Sequence, residues 1–465
     1  MSESIAEMIL PSTYIEVRAE GLIGVGSIAT GNLGVVGTAA RGPVGTVVSL
    51  GSYAEALDAF GSSDPFATPR LVGNPLTLVR ALEQAFTGGA KSVYAVRIAN
   101  GVPAKATAAL RASGDQPGFT LTAKDGGTYG TLITWMVAQE AAAQPWKLTL
   151  VAGAAKEVYS GMTVAELRTA ALASTLVDIG AVSNGASEPM PRSPAVALAG
   201  GTDGANVSAV DLAAGLAKLE DQPVNILIVG GFGSAAARGA VGAHLENTEN
   251  EGRERIAVLG ATASDAATVL AEAGGVSDDR IVLVGPGLMS TDPNGTAVAL
   301  PPPYLAAVVA GKMATLAVHV SLTNKTVPID DLDVRYNTTQ YKNLLLNRVL
   351  LVRQKFGFQV VKGISTENGA FTQITIRRIV DYAKAGVRQG SDPYIGRLNN
   401  GRVRGALKAT LDGFLSQMVV DEMLVAYQLD VSATRAQEIR GICAVTMTLL
   451  PTFSIDYIRV TMNLQ

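Results

Sequence analysis

The run Gly231-Phe232-Gly233-Ser234-Ala235-Ala236 follows directly on the apolar stretch VNILIVG. This is a G-x-G-x-x-A pattern, in which glycines let backbone amides approach a pyrophosphate at the start of a helix. The chemistry it would serve is dinucleotide binding, and a nucleotide-dependent α/β enzyme using the Gly231 turn is the alternative reading of this chain. A ribose-binding acid should then end the next strand, but RIAVLG closes in Gly260, followed by Ala261 and Thr262. The pattern therefore reads as a glycine-rich turn between a strand and a helix. A second match, Gly24-Val25-Gly26-Ser27-Ile28-Ala29, has no convincing strand before it. There is no G-x-x-x-x-G-K-[ST] phosphate loop and no G-x-S-x-G nucleophile elbow. The single cysteine, Cys443, lies in the apolar run GICAVTM and reads as a small buried residue, which leaves no internal disulfide and no multi-cysteine metal cluster. His319 reads as a packed residue and His244 as a solvated helix residue, far apart in sequence. No catalytic, cofactor-binding or metal site emerges, and neither a cofactor nor an enzymatic activity is expected.

The elements that carry these residues belong to a long, apolar chain. Its 465 residues suggest about three structural units. Hydrophobic residues make up 48% and charged ones only 17%, so the chain can bury a large core and still present apolar surface to partners. The opening MSESIAEMIL places Glu3 and Glu7 where a secretory leader carries basic residues, and the most apolar stretch, PPPYLAAVVAGKMATLAVHV, is interrupted by Lys312. A soluble protein made in a reducing compartment is expected, with no membrane insertion. The net charge of −3 hides an asymmetry. Between Arg335 and Thr410 there are 14 Lys and Arg against three acids, a net +11, so the remainder carries −14. A solvated basic face, a nucleic-acid surface and docking against an acidic protein would each explain this, and charge alone does not choose.

Periodicity sets out the order of elements. PSTYIEVRAE alternates as a short strand, SYAEALDAF reads as a helix ended by Gly61, and Asn74-Pro75 opens a helix with Leu78, Leu82, Ala85 and Phe86 at helical spacing. SVYAVRI follows as a strand. From Val102 to Ala199 short β-like runs dominate, and both Trp135 and Trp146 fall there, which suggests a β-rich insertion. VNILIVGG, RIAVLGA and RIVLVGPG then read as buried parallel strands separated by helices. Two amphipathic helices are predicted beyond Arg335, one on Ile376, Val380, Ala383 and Val387, the other on Val403, Leu407, Leu411, Phe414 and Met418. The final VTMTLLPTFSIDYIRVTMNLQ is β-like, and its alternation changes phase after Tyr457.

In this order the motifs resemble the tail sheath proteins of contractile phage tails, R-type bacteriocins and contractile injection systems. The matching blocks are Gly37-Thr38-Ala39-Ala40-Arg41-Gly42-Pro43 with VSLGSYAEALDAFGSS, then LVRALEQAFTGGAKSVYAVRIA, LTAKDGGTYGTLITWMV, LAGGTDGANVSAVDLAAGLAKLE, and Arg377-Arg378-Ile379-Val380. They span nearly the whole chain. Departures are Lys362-Gly363-Ile364-Ser365-Thr366 in place of a Gly-x-Arg-Thr stretch, and a C-terminus without the common Pro-x-Glu-Phe.

The resemblance implies a mixed α/β and α+β multidomain fold: an α/β core, a β-rich inserted domain, and extended N- and C-terminal arms for strand exchange between subunits. The expected divisions are an arm at 1–22, core at 23–101 and 200–334, an outward-facing insertion at 102–199, a tube-proximal domain at 335–450 and a second arm at 451–465. Tyr14, Ile15 and Val17 would exchange at one end, and Phe453, Ile455, Tyr457, Ile458 and Val460 at the other. Arg397, Arg402, Arg404 and Lys408 would face an acidic inner tube. The implied function is that of a structural subunit that polymerises around the tail tube and contracts from a metastable state to drive the tube through an envelope. Implied partners are further copies in stacked sixfold rings, the tube protein, and baseplate and terminator proteins, with no direct nucleic-acid contact. The implied place is a virion tail made in the host bacterial cytoplasm.

Overall fold

The apolar runs become the centre of one large sheet. The computed structural model describes residue 26 and residues 28–62, 76–292 and 295–464. Its first strand, β1 (Leu33–Gly37), is buried throughout, and β2 (Val47–Leu50) follows. Helix α1 (Tyr53–Phe60) begins where the Ser52 hydroxyl accepts the Glu55 N–H, and it ends where the Gly61 N–H returns to the Leu57 carbonyl. Helix α2 (Leu78–Gly88) buries Leu78, Leu82 and Ala85, while the expected opening at Asn74-Pro75 lies outside the described residues. Strand β3 (Val93–Arg97) completes this first block.

Residues 107–197 then form a separate β-rich body. It comprises β4 (Thr107–Ala112), β5 (Gln116–Ala123), β6 (Thr134–Ala138), β7 (Trp146–Ala152), β8 (Ala155–Gly161), helix α3 (Val164–Ala171), β9 (Val177–Ile179) and β10 (Arg192–Ala197). These make a three-stranded sheet in the order β4-β5-β9 and a four-stranded one in the order β10-β6-β7-β8, all antiparallel. Trp135, Trp146, Phe119, Leu148 and Leu167 meet in a core of their own.

The chain returns through α4 (Ala209–Ala217), β11 (Ile226–Val229), α5 (Ser234–Asn250), β12 (Ile256–Gly260), α6 (Ala266–Ala273) and β13 (Ile281–Gly285). A small sheet of β14 (Leu288–Thr291), β15 (Ala297–Leu300) and β16 (Asp331–Leu332) brackets helix α7 (Pro302–Ala314). The apolar stretch that stood out in the sequence is this α7. It is buried along almost its whole length and packs on α2 and on β11, β12 and β13. Among the described residues no helix is long and apolar enough to cross a membrane.

Helix α8 (Thr338–Leu346) leads to β17 (Val349–Gln354) and β18 (Phe358–Val360). The main sheet runs β18-β17-β13-β12-β11-β1-β3-β2, with its six inner strands parallel and one antiparallel strand on each edge. Continuous Val, Ile and Leu runs are what two covered faces require. Alternate side chains of the strands pack under α1, α2 and α7 on one face and under α4 and α5 on the other. Because β17 and β18 belong to this sheet, the core does not stop at residue 334. The first part of the expected C-terminal domain completes the sheet edge, since the run of β17 needs β13 as its partner.

The remaining unit holds α9 (Ile374–Ser391), α10 (Gly401–Val420), β19 (Leu424–Ser432), α11 (Arg435–Ile439) and β20 (Ala444–Pro451). On α9 the inner stripe is Ile376, Ile379, Ala383 and Gly386, with Val380 and Val387 only half-buried. On α10 Leu407, Leu411 and Met418 are buried as the spacing predicts, joined by Leu415, while Val403 and Phe414 are half-buried. Strands β19 and β20 pair antiparallel, from Leu424 opposite Pro451 to Ser432 opposite Ala444. Among the described residues no strand forms beyond Pro451, so the phase change after Tyr457 falls outside any ladder there.

Candidate functional site

In open α/β sheets, ligands sit where the strand order reverses, outside the carboxyl ends of the strands. Here that place lies between β1 and β11, and the chain fills it with its own atoms. The Thr38 carbonyl after β1 accepts the N–H groups of Thr77 and Leu78 at 3.0 and 2.8 Å. The hydroxyl of Thr38 accepts the Thr77 N–H at 3.1 Å, and the Thr77 hydroxyl accepts the Thr38 N–H at 3.2 Å. The Thr77 and Leu78 amides at the start of α2 are thus used internally. Gly231 has φ 72°, and a Cβ there would press on Thr77 and Tyr304. Gly233, the N-cap of α5, lies so close to Thr262 that it admits no side chain. Ser234 Oγ donates to Glu272, whose carboxylate also accepts the Thr262 N–H at 3.1 Å. The glycines of the G-x-G-x-x-A pattern serve close packing.

Part of the basic segment is spent inside the molecule, in a net of charges that Arg280 of the core joins. Arg280, ahead of β13, reaches Glu249 of α5 at 2.7 and 2.9 Å and Asp381 of α9 at 2.8 and 3.1 Å. Arg377 meets Asp279 at 2.7 Å and Asp381 at 2.9 Å. Lys384 meets Glu249 at 2.8 Å, and Arg388 pairs with Glu254 and donates to the Gly252 carbonyl. The hydrogen bonds from Arg280 and Lys384 hold the Glu249 carboxyl down at about 2, and its two carboxylate partners push Arg280 above the usual guanidinium range. Arg378 is buried against the carbonyls of Leu316, Ala317 and Thr30, and burial lowers it to about 10. Three of the segment's cations, Arg377, Lys384 and Arg388, therefore meet acids of the core across a joint with α9.

Two further expectations change. His244 is 3% exposed, not solvated; it lies 3.0 Å from Arg255, and burial, with Arg255 beside it, lowers its pKa from 6.5 to about 4. Its helical spacing with Val241 and Leu245, both buried, was the signal for this. Cys443 is half-buried against Leu407 and Leu411, and His319 is half-buried.

The four basic residues expected to face a tube lie together around the start of α10, unequally available. Arg397 is exposed; its guanidinium stacks 5.2 Å from the Tyr394 ring and donates to the Pro393 carbonyl. Arg402 is exposed on the first turn of α10. Lys408 is exposed 4.0 Å from Asp430. Arg404 is drawn inward, 2.9 Å from Glu438 and 2.8 Å from Asn399, because α11 brings that acid beside it. Ile395 and Leu398 stand exposed beside them.

The C-terminal tail presents the other surface. Thr452, Ser454 and Asp456 turn toward the body while Phe453, Ile455 and Tyr457 turn outward, followed by exposed Ile458, Val460, Met462 and Leu464. Tyr457 is 81% exposed, touched by the Lys362 ammonium 5.2 Å from its ring centroid, which leaves most of its apolar surface in water. Among the described residues neither outer edge of the β19–β20 hairpin is paired. Tyr14, Ile15 and Val17 lie outside the described residues.

The phage tail sheath protein central domain matches residues 205–366, and the phage tail sheath C-terminal domain matches 366–465. A sheath tail protein of Desulfitobacterium hafniense is similar in structure at TM-score 0.68 and 18% identity, over 95% of this chain and 100% of that one. One from Listeria innocua gives 0.62 and 17%, over 93% and 98%. The helical sheath of the anti-feeding prophage in its contracted state gives 0.58 and 14%, over 98% and 99%. No curated protein sequence matches. With its fold shared with these sheaths and more than half its length matched by sheath domains, this chain belongs to the phage tail sheath protein family and is a structural subunit of a contractile tail sheath.

Proposed function

We propose that copies of this subunit are joined by exchanged terminal strands. The observation that carries the reading is the tail: Phe453, Ile455, Tyr457, Ile458 and Val460 are each at least 61% exposed and belong to no strand ladder among the described residues. An open strand edge accepts a foreign strand through main-chain hydrogen bonds that ask little of side chains, and the β19–β20 hairpin offers two such edges. The tail of one copy adds to the hairpin of the next, and Tyr14, Ile15 and Val17 supply the second strand. Such a link tolerates rotation of the subunits it joins. A head-to-tail contact of this kind propagates into stacked sixfold rings and a helix. Contraction then draws on better packing between subunits and needs no nucleotide.

Arg397, Arg402 and Lys408, with Ile395 and Leu398, form the surface for an acidic inner tube, with Arg404 a weaker contributor because Glu438 already holds it. Residues 102–199 face outward as a self-contained body, and the core extends to about residue 366. Baseplate and terminator proteins would close the two ends, and synthesis is in the host cytoplasm. Electron microscopy of the full-length protein beside a chain ending at Pro451 tests the linkage. Striated hollow tubes from the first alone are expected; tubes from both overturn the tail's role.

A further inference from the structure

The described segments nearest the two ends of the chain are both tied to one helix. Gln373 stands at the N-cap of α9, yet its side chain makes no capping bond there. It is turned to the tail: its Oε1 accepts the Ser454 N–H at 3.2 Å and the Ser454 hydroxyl at 3.1 Å. Its Nε2 donates to the Ser454 carbonyl at 3.3 Å and to Asp456 at 3.1 Å. Asp456 also accepts from the Thr323 hydroxyl at 3.2 Å and lies 3.5 Å from the Lys362 ammonium. The root of the tail is thus latched to the first turn of α9, and beyond Asp456 every described residue is exposed.

The other end is held further along the same helix. Arg378, 6% exposed, donates at 3.4 Å to the carbonyl of Thr30, in the segment that enters β1, and at 3.0 and 3.4 Å to Leu316 and Ala317. Toward the far end of α9, a Cβ built on Gly26 would lie 2.8 Å from the Gln389 side chain. The described part of the N-terminal segment therefore follows α9 before it joins the sheet. From Gln373 to Gln389 the axis spans roughly 24 Å at the helical rise.

We propose that α9 is the strut between the two arms, with Gln373 and Arg378 as positioning residues that set where each arm leaves the subunit. The proposal rests on the strand-exchange reading. A pull on the tail enters α9 at Gln373, beside the contacts of Asp456 with Thr323 and Lys362, and runs along the helical hydrogen bonds to Arg378 and the N-terminal root. The core hangs on the strut sideways, through Arg280, Asp381 and Lys384.

The test uses the full chain carrying Gln373→Ala, Gln373→Glu or Arg378→Lys, beside the chain ending at Pro451. Gln373→Ala removes a half-exposed polar latch without opening the core, so the melting temperature should hold while trypsin cleavage after Arg459 speeds up several-fold and sheaths become fewer and shorter. Gln373→Glu, which repels Asp456, should do the same. Arg378→Lys keeps the charge but cannot reach three carbonyls, and its effect on assembly should not add to that of Gln373→Ala, because both interrupt one path. Unchanged cleavage in Gln373→Ala, faster cleavage with normal sheaths, or fully additive losses each overturn the strut. Normal sheaths from the chain ending at Pro451 would instead overturn strand exchange itself.

Discussion

Two joints leave the α/β core, and they are built from opposite materials. The insertion is held by backbone: Thr107 and Ala199 exchange N–H···O bonds, Tyr129 N–H reaches the Ala40 carbonyl, and Ala104 bridges to Thr202. At its centre the Arg97 guanidinium, 1% exposed, donates to the carbonyls of Gly42 at 2.7 Å and Gly126 at 2.8 Å, with Asp203 3.8 Å away. Gly127, at φ 138°, brings the chain so near Ala40 that a Cβ would collide with its carbonyl oxygen. The joint to α9 is instead a net of charges, several of them more than a third exposed, beside a cleft of about 380 Å³ lined in part by Ile28, Asp221, Val224 and Tyr382. Backbone bonds carry no net charge for salt to screen, whereas partly exposed ion pairs are screened. The insertion should therefore behave as part of the core, and the arm-bearing unit as a separately tunable body.

The largest effect should come from Arg97→Met, which strands two carbonyls and Asp203 and should cost about 4 kcal/mol in a urea titration. A loss below that of the α9 variants would reverse the ranking of the two joints.

Acid separates the core from the ionic joint. His244 is neutral when folded, with a pKa lowered from 6.5 to about 4. The unfolded chain therefore takes up a proton first, and stability falls by about 3 kcal/mol as pH drops from 6.5 to 4. His244→Phe should remove that phase. Glu249 works the other way, as a carboxylate held down from 4.5 to about 2; its contribution is complete above 4.5 and is lost as pH falls through 2. Hydrogen exchange should show α9 opening in this lower range.

Asp381→Asn removes the shared partner of Arg280 and Arg377 but leaves each another carboxylate. About 2 kcal/mol of destabilisation is expected, shrinking at high salt, which the insertion joint should not feel. An equal salt dependence in the Arg97 variant would break the contrast.

The smallest effect belongs to Lys384→Ala. Its ammonium and Glu249 are both more than a third exposed, so less than about 1 kcal/mol is expected at low salt and none measurable at high salt.

What could be read from the sequence was what is local. Ser52 and Gly61 mark the two ends of α1 because caps act within one turn, and three apolar runs marked β11, β12 and β13 because two covered faces leave no polar alternation. The apolar spacing of α10 placed its inner face, and the family order of motifs pointed to a sheath. On α9 the stripe was misjudged by one position, since the large Val380 was weighed above the small Gly386, where a Cβ would collide with Phe414 of α10. The fate of the charges was not legible. Arg280 and Asp381 are 101 residues apart, Lys384 and Glu249 135, and no periodicity connects them. A count of +11 looked like a surface until tertiary structure set α9 against α5 and the start of β13. The glycine turn likewise suited either a pyrophosphate or a tight contact. Sequence determined the elements and their order through short-range sterics and burial; only the packing of distant segments decided which charges were spent inside, which crevice was closed, and which apolar residues were left facing outward.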